Sequence, residues 1–598
     1  MGYRNLFVLI ITCVITTSFC YNTNYNPRKN RLSFPYNKMG LNTRQAAVHL
    51  LNRFTFGLKP GDVELVESMG LENWFENQLY QNNADDSLEK YLSYYDAIKM
   101  SNEDIVNNFI PQNEVRKLMK DLGILVIDSN FDKKEYKVVV DSFMKANNLR
   151  LPQEYQRQLI NQKILRAIYS NNQLREVLTD FWFNHFNVSL TKNQAALYIL
   201  SYERDVIRPN VLGNFEDLVL ATAKSPAMLE YLDNNFSISF NNTQSNNELE
   251  RNEQRIRLKN LDINNDSSLI KLKKQRRDQG LNENYARELL ELHTMGVDAG
   301  YTQKDVTEVA RIFTGWSIIP LIKRSEYRIN FEKYKQFNLE KNGFVIEGDF
   351  MFKANRHDNG MKEVLGIKYD SDGGYNEGLT LINRISKNPN TAKFICKKIA
   401  TKFVSDTPED ALIEKMTKTY INTNGNLREV LITMVNSTYF WDSNAVRKKI
   451  KNPFELTISA IRATNSKVLQ PYQIFNWCNT MGQKFYYYQA PTGFPDRSDY
   501  WVNTNSLINR MNFGVSFSSG KIPGLFLDSN LVNFKVEPES IDSAINLLSY
   551  KLLPENSNNV NNKRILRQYT VDFDNNKSIN LSNQIVGLLI GSPEFQKK

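Results

Sequence analysis

Apolar residues recur at spacings of three and four along most of the chain, the mark of helices with one buried face. The clearest run lies within 161–186, where Leu174, Val177, Leu178, Phe181, Trp182 and His185 fall on one side of a helix and define a core face. A shorter amphipathic stretch, Thr43 to Phe54, carries His49, Leu50 and Phe54 and stops at Gly57. Two more short helices are predicted at 62–69 and 72–79, divided by Gly70. Others are expected near 203–208, 215–223, 282–295, 303–314, 376–385, 391–403, 409–420 and 426–436. One region departs from this period: Phe344-Val345-Ile346 and Phe350-Met351-Phe352 flank Glu347-Gly348-Asp349 as two short β-type runs, a small hairpin. The expected fold class is mainly α, a large multi-helix architecture with a small β-hairpin subregion.

The first 20 residues have a different pattern. Arg4 precedes an apolar run from Leu6 to Ile15, and Ser18 and Cys20 stand at the third and first positions before a cut ahead of Tyr21. That is the order of a secretory signal peptide. A bilayer span needs about 20 apolar residues, and this run is much shorter. The expected location is therefore exported: periplasmic, cell-surface or extracellular, with no transmembrane span in the mature chain. Residues 21–40 read as a flexible lead-in, 41–235 as an N-terminal helical region and 236–281 as a polar, disordered insert. A charged helical hairpin at 282–320, a β-hairpin and His-Asp loop at 321–372, and a C-terminal helical region at 373–598 complete the division.

Charge adds little to this picture. With 75 basic and 65 acidic residues the net charge is +10, and removal of Arg4 with the signal leaves +9. The insert carries a basic run, Lys271, Lys273, Lys274, Arg276 and Arg277. Export turns the reading of that run from nucleic-acid binding to a solvated tail. Cys13 and Cys20 leave with the signal, so Cys396 and Cys478 remain. A buried thiol is the reading for Cys396, and a bridge between the two stays open.

The densest polar cluster on helical spacing runs from Asn282 to Gly296. Glu283, Arg287 and Glu291 form one stripe, Leu289 and Leu292 define the packed side, and Gly296 ends the helix in a left-handed conformation. Thr302 and Asp305 make a capping box for a second, antiparallel helix carrying Glu308 and Arg311 and ending at Gly315-Trp316. One reading is an acid–base site in which Glu288, Glu291, His293, Asp305 or Glu308 works beside Arg311, His357 and Asp358. The other is a salt-bridge network that pins the hairpin.

Only four histidines occur, His49, His185, His293 and His357, and none forms a close-spaced ligand motif. A divalent metal site, with His185, His293 and His357 as ligands, would need tertiary convergence. His185 also fits a plain core position, whereas His357-Asp358-Asn359-Gly360 falls in a loop. A nucleophile elbow, a phosphate-binding loop and a dinucleotide fingerprint are all missing from the sequence, which excludes several enzyme classes. Near the C-terminus, Gln489 to Arg497 is a Pro/Gly-shaped aromatic loop running into Tyr500-Trp501, suited either to core packing or to binding sugars or partners.

At these motifs the chain resembles a bacterial family known as domain of unknown function 1800. The resemblance rests on His49 to Gly57, Phe181 to Phe186, Asn282 to Gly296, Tyr301 to Trp316, Phe350 to Phe352 with His357, Asp358, Gly360 and Lys362, Asn388 to Ala392, Pro491 to Trp501, and Ser592 to Gln596. Asn388, Phe183 and Phe494 depart from the residues usual at those positions. The resemblance implies an exported, mostly helical protein, often encoded beside a family similar to alkaline phosphatases and sulfatases. From it follow two functional expectations: a binding or assembly factor at the cell envelope, with such a secreted protein or an envelope polymer as partner, or an extracytoplasmic hydrolase using the carboxylate, histidine and arginine cluster.

Overall fold

The computed structural model describes residues 32–124, 133–192, 194–239, 280–335, 339–528, 531, 541–554, 563–564, 566–568 and 578–598. The predicted signal peptide, the first part of the lead-in (21–31) and most of the polar insert (240–279) lie outside the described residues. The fold is mainly α with three small antiparallel sheets. No helix among the described residues is long and apolar enough to cross a membrane.

Helix α1, Thr43–Phe54, begins where Asn42 and Gln45 form a reciprocal capping box, and from Ala46 onward all its residues are buried. The stretch read as one periodic run over 161–186 is two helices, α2 (Pro152–Tyr169) and α3 (Gln173–His185). The break has a local cause. Ser170 Oγ, Asn171 N and Asn172 Nδ2 all donate to the Asp85 carboxylate, at 2.8, 2.5 and 3.0 Å, so this polar triplet finds partners outside the helix ladder. The predicted lead-in also differs from expectation over 32–40. Phe34 is buried, and its ring and that of Tyr36 lie 5.3 and 5.8 Å from Trp441, so aromatic packing holds this segment.

The expected helix over 282–295 starts as an α-helix, α4 (Glu283–Glu288), and widens into a π-helical turn at Leu289–Thr294. Thr294 Oγ1 donates to Leu289 O at 2.6 Å, and Met295 N to Leu290 O at 2.9 Å. The wider winding changes which side chains face inward: Leu289, Leu290, His293 and Thr294 are buried, while Leu292 is half-buried. Gly296, at φ 93°, closes the segment as predicted. Helix α5, Gln303–Ile312, carries the expected Thr302/Asp305 capping box.

Trp316 does not end a helix. It opens strand β1, Trp316–Ile318, after Gly315 turns the chain at φ 81°. A Cβ on Gly315 would come within 2.6 Å of Lys353 O, so this turn needs glycine. The predicted hairpin forms from β2 (Val345–Glu347) and β3 (Phe350–Phe352), with Glu347 opposite Phe350, and β1 adds to its other edge in the order β1-β3-β2. A second hairpin follows from β4 (Lys362–Val364) and β5 (Ile367–Tyr369), turned by Leu365 and Gly366 at φ 52° and 74°. Helices α6 (Tyr375–Ser386), α7 (Pro389–Phe403) and α8 (Pro453–Ala463) then cross the N-terminal region. One apolar core runs from Phe34 to Phe595 and joins residues of every region.

Candidate functional site

The charged hairpin forms as an antiparallel pair. Thr307 Oγ1 donates to Glu283 Oε1 at 2.7 Å, and Gln303 links Glu283 with Arg287 at 2.7 and 2.6 Å. Arg287 sits between Glu291 at 3.3 Å and Glu283 at 3.9 Å. Glu288 is raised above the usual carboxylate range by burial and by neighbouring Glu291. Asp305 is committed twice: its Oδ2 accepts from Thr302 N at 2.8 Å and its Oδ1 from Leu365 N at 2.6 Å, tying α5 to the second hairpin.

Four of the nominated residues converge around the His-Asp loop. Arg311 forks onto Asp358 through Nε and Nη2, at 3.2 and 2.9 Å, and reaches Glu308 at 2.8 Å. Burial works against the Asp358 charge, but Arg311 and the Gly360 N–H outweigh it and hold the carboxyl below its usual range. His357 is buried beside them, with Nε2 3.4 Å from Glu377 Oε2 and Nδ1 3.0 Å from Thr314 O. A carbonyl can only accept, so Nδ1 carries the proton. Lys362 Nζ lies 2.7 Å from Glu377 Oε2 and also donates to Asp358 O and Gly360 O. Two ion-pair groups, Arg311 with Asp358 and Glu308 and Lys362 with Glu377, thus tie the loop to α5 and α6.

The remaining histidines lie elsewhere. His49 donates Nε2–H to Phe440 O at 2.9 Å inside the core. His185 and His293 meet, ring centroids 6.3 Å apart, and His185 Nε2–H donates to His293 O at 3.0 Å. Burial, then the nearby charge of Lys398, pushes both imidazoles down, His293 to about 3. They are neutral at pH 7, and His185 Nδ1 and His293 Nε2 are buried with no hydrogen-bond partner among the described residues. Among the described residues no group of three or more His, Cys, Asp or Glu is placed to hold a metal ion. Cys396 and Cys478 are free buried thiols, each pushed up to about 12 by burial.

A cleft between α3, α7 and the 489–501 loop gathers residues that the sequence pattern did not single out. Its floor holds Lys163, 2.8 Å from Asp180, and Lys402, 3.4 Å from Asp496. Behind them, Glu203 contacts Lys163 at 3.6 Å and Arg208 at 2.9 Å and accepts from Tyr486 Oη at 2.5 Å, while Glu455 takes Lys402 at 3.1 Å. Burial disfavours the charges of Lys163, Lys402 and Glu203. Opposite charges outweigh it: Asp180 and Glu203 hold Lys163 above its usual value, Glu455 and Asp496 raise Lys402, and Lys163 with Arg208 brings Glu203 down to about 2. The enclosed volume is about 30 Å³, water-sized. Phe494 and the buried Trp501 line the cleft, and the rings of Tyr488, Phe494, Trp501 and Tyr500 follow one another at 4.5, 5.7 and 4.8 Å, with Tyr500 44% exposed.

The loop is held by α3. Asn184 Nδ2 donates to Phe494 O and its Oδ1 accepts from Phe494 N, both at 2.7 Å. Gly493, at φ 66°, passes so close that a Cβ would lie 2.1 Å from Asn184 O. A local signal for this site existed: Asp180 and Asn184 are one helical turn apart, and Lys163 interrupts an apolar run. A larger concavity of about 270 Å³, lined among others by Arg44, Lys59, Lys451 and Glu594, contains none of the nominated residues.

The family profile described as protein of unknown function (DUF1800) matches residues 49–597. No curated protein and no solved structure matches the chain. The match takes in the second half of α1, the charged hairpin, the His-Asp loop and both walls of the cleft, and on that extent the chain belongs to the DUF1800 family of proteins of unknown function.

Proposed function

We propose that the protein is a binding or assembly factor that acts outside the cytoplasm at the cell envelope, and that it holds an envelope polymer along the cleft mouth. The observation that carries this reading is the run of four rings from Tyr488 to Tyr500, two of which, Phe494 and Trp501, line the cleft together with its paired charges. Ring faces favour the C–H faces of sugars, and flanking amides and charges favour hydroxyls. Lys163, Lys402 and Glu203 keep their charge across the neutral range, which suits fixed hydrogen bonding better than proton transfer. The small enclosed volume favours a strand lying across the mouth over one inside.

The test is co-sedimentation of the mature protein with isolated envelope polysaccharide and peptidoglycan, for the wild type and for Tyr500→Ala and Phe494→Ala. Loss of one aromatic contact of about 0.5–1.5 kcal/mol lowers affinity roughly two- to tenfold. Equal retention of all three proteins sinks the reading. A secreted alkaline-phosphatase-like or sulfatase-like protein is the alternative occupant, detected by co-purification from the envelope.

A second reading, an extracytoplasmic hydrolase, draws on the convergence of Arg311, Asp358, Glu308 and His357. It requires that His357→Gln abolish a measurable hydrolysis while leaving the unfolding midpoint close to that of the wild type.

A further inference from the structure

The concavity of about 270 Å³ lies where α1 and residues 58–61 meet the end of α8 and the late residues 550–554 and 594–597. Its size is near the lower end of the roughly 300–1,000 Å³ that ligand pockets occupy. Leu58, Val63, Leu552, Leu553 and Phe595 give the wall apolar surface, and polar side chains lie among them. Asn52 is the one that lacks a role in the fold. It lines the cavity at 6% exposure, and its side-chain amide makes no hydrogen bond with any described residue. A buried amide without a partner is costly, and its place on a cavity wall lets a ligand supply one.

Charge points the same way. Five basic side chains line the cavity against three acidic ones, and the acids are engaged: Glu64 takes Arg44 at 3.0 Å, Glu594 takes Arg447 at 2.7 Å, and Asp528 accepts from Asn465 Nδ2 at 3.0 Å. Two of the five bases, Lys59 and Lys597, have no ion pair among the described residues. Burial, then the nearby charge of Arg462, pushes the Lys59 amine down to about 8, so an arriving anion would relieve a disfavoured charge.

From this wall we infer that the concavity binds a small carboxylate with an apolar body, such as a short acyl chain. Asn52 Nδ2–H donates to the carboxylate, the positive charge of Lys59 and Lys597 balances it, and the hydrocarbon lies against the leucines and Val63. The inference does not depend on polymer binding, because the concavity shares no lining residue with the cleft.

The experiment is calorimetric titration of the full mature chain at pH 7 with sodium octanoate and with 1-octanol, for the wild type, Asn52→Leu and Ala463→Trp. Ala463 lines the concavity, so the indole should fill it and abolish octanoate binding. The wild type should bind octanoate saturably, and octanol roughly tenfold more weakly, since one hydrogen bond to a charged group is lost. Asn52→Leu should lower octanoate affinity by roughly tenfold as well, while its ligand-free unfolding midpoint should not fall, because no hydrogen bond within the protein is removed. No saturable binding of octanoate to the wild type, equal affinity for octanol, or undiminished octanoate binding by Asn52→Leu overturns the inference. Should Ala463→Trp fail to fold, the octanol and Asn52→Leu comparisons decide.

Discussion

Glu203 offers the sharpest test of how the cleft floor is held. It lies in a π-helical turn, Tyr202–Ile207, fully buried, with Lys163, Arg208, Gln162 and Tyr486 around its two oxygens. Its carboxyl is brought down to about 2 in the folded chain, against an ordinary value of 4.5. At about 1.4 kcal/mol per pH unit, that difference makes the charged form worth about 3 kcal/mol of folding stability. The folded value is depressed, so this contribution is complete above the unfolded value and disappears as pH falls through the folded one. It amounts to about 3 kcal/mol at pH 7 and about 1.4 kcal/mol at pH 3. Glu203→Gln keeps the shape and removes the charge. Lys163 keeps Asp180 and Arg208 keeps Glu176, so the cost should stay near 3 kcal/mol and not exceed the 3–5 kcal/mol typical of a broken buried pair. The assay is urea unfolding of wild type and variant, followed by tryptophan fluorescence, at pH 7, 4 and 3. The gap between the two should narrow steadily. Equal stability at pH 7, or a gap that does not change with pH, would refute the reasoning.

Other consequences are as direct. Lys402→Met leaves Asp496 without its cation, while Glu455 keeps Lys598, and should lower stability by about 3 kcal/mol at pH 7, read from the same urea transition; a loss under 1 kcal/mol contradicts the pairing. Gly493→Val places a Cβ against Asn184 O and forces a β-branched residue to φ 66°, so amide hydrogen exchange across 489–496 should speed up; unchanged protection would mean that the contact does not hold the loop. Cys396 and Cys478 should resist a thiol reagent in the native mature chain and give two free thiols in denaturant without reductant; none would reveal a bridge.

Much of the helical framework was legible because its signals are local. Thr302 with Asp305 announces a helix start within four residues, and the Glu347-Gly348-Asp349 turn announces its own hairpin. Strand β1 was not legible, since three residues cannot show a period and its reason for being extended is an edge supplied by β3. The π-helical turn at Leu289–Thr294 shifts the inward face by packing, which a fixed 3.6-residue count cannot anticipate. The cleft escaped for another reason. Lys163, Asp180, Lys402 and Asp496 look like isolated charges where they stand and acquire partners only when α2, α3, α7 and the late loop meet.

The two-way amide contact between Asn184 and Phe494 spans 310 positions of sequence. Arg462 likewise reaches back 405 positions to Gly57 O at 2.6 Å. Early and late parts of the gene are thus committed to one another at single-atom precision. A chimera that joins the first half of one family member to the second half of another would inherit neither contact intact unless both junction partners travelled together. The workable seams for recombination or domain dissection lie inside the regions that these long-range clasps leave free, and a cut between residues 235 and 282 should yield two fragments that fold only on being mixed.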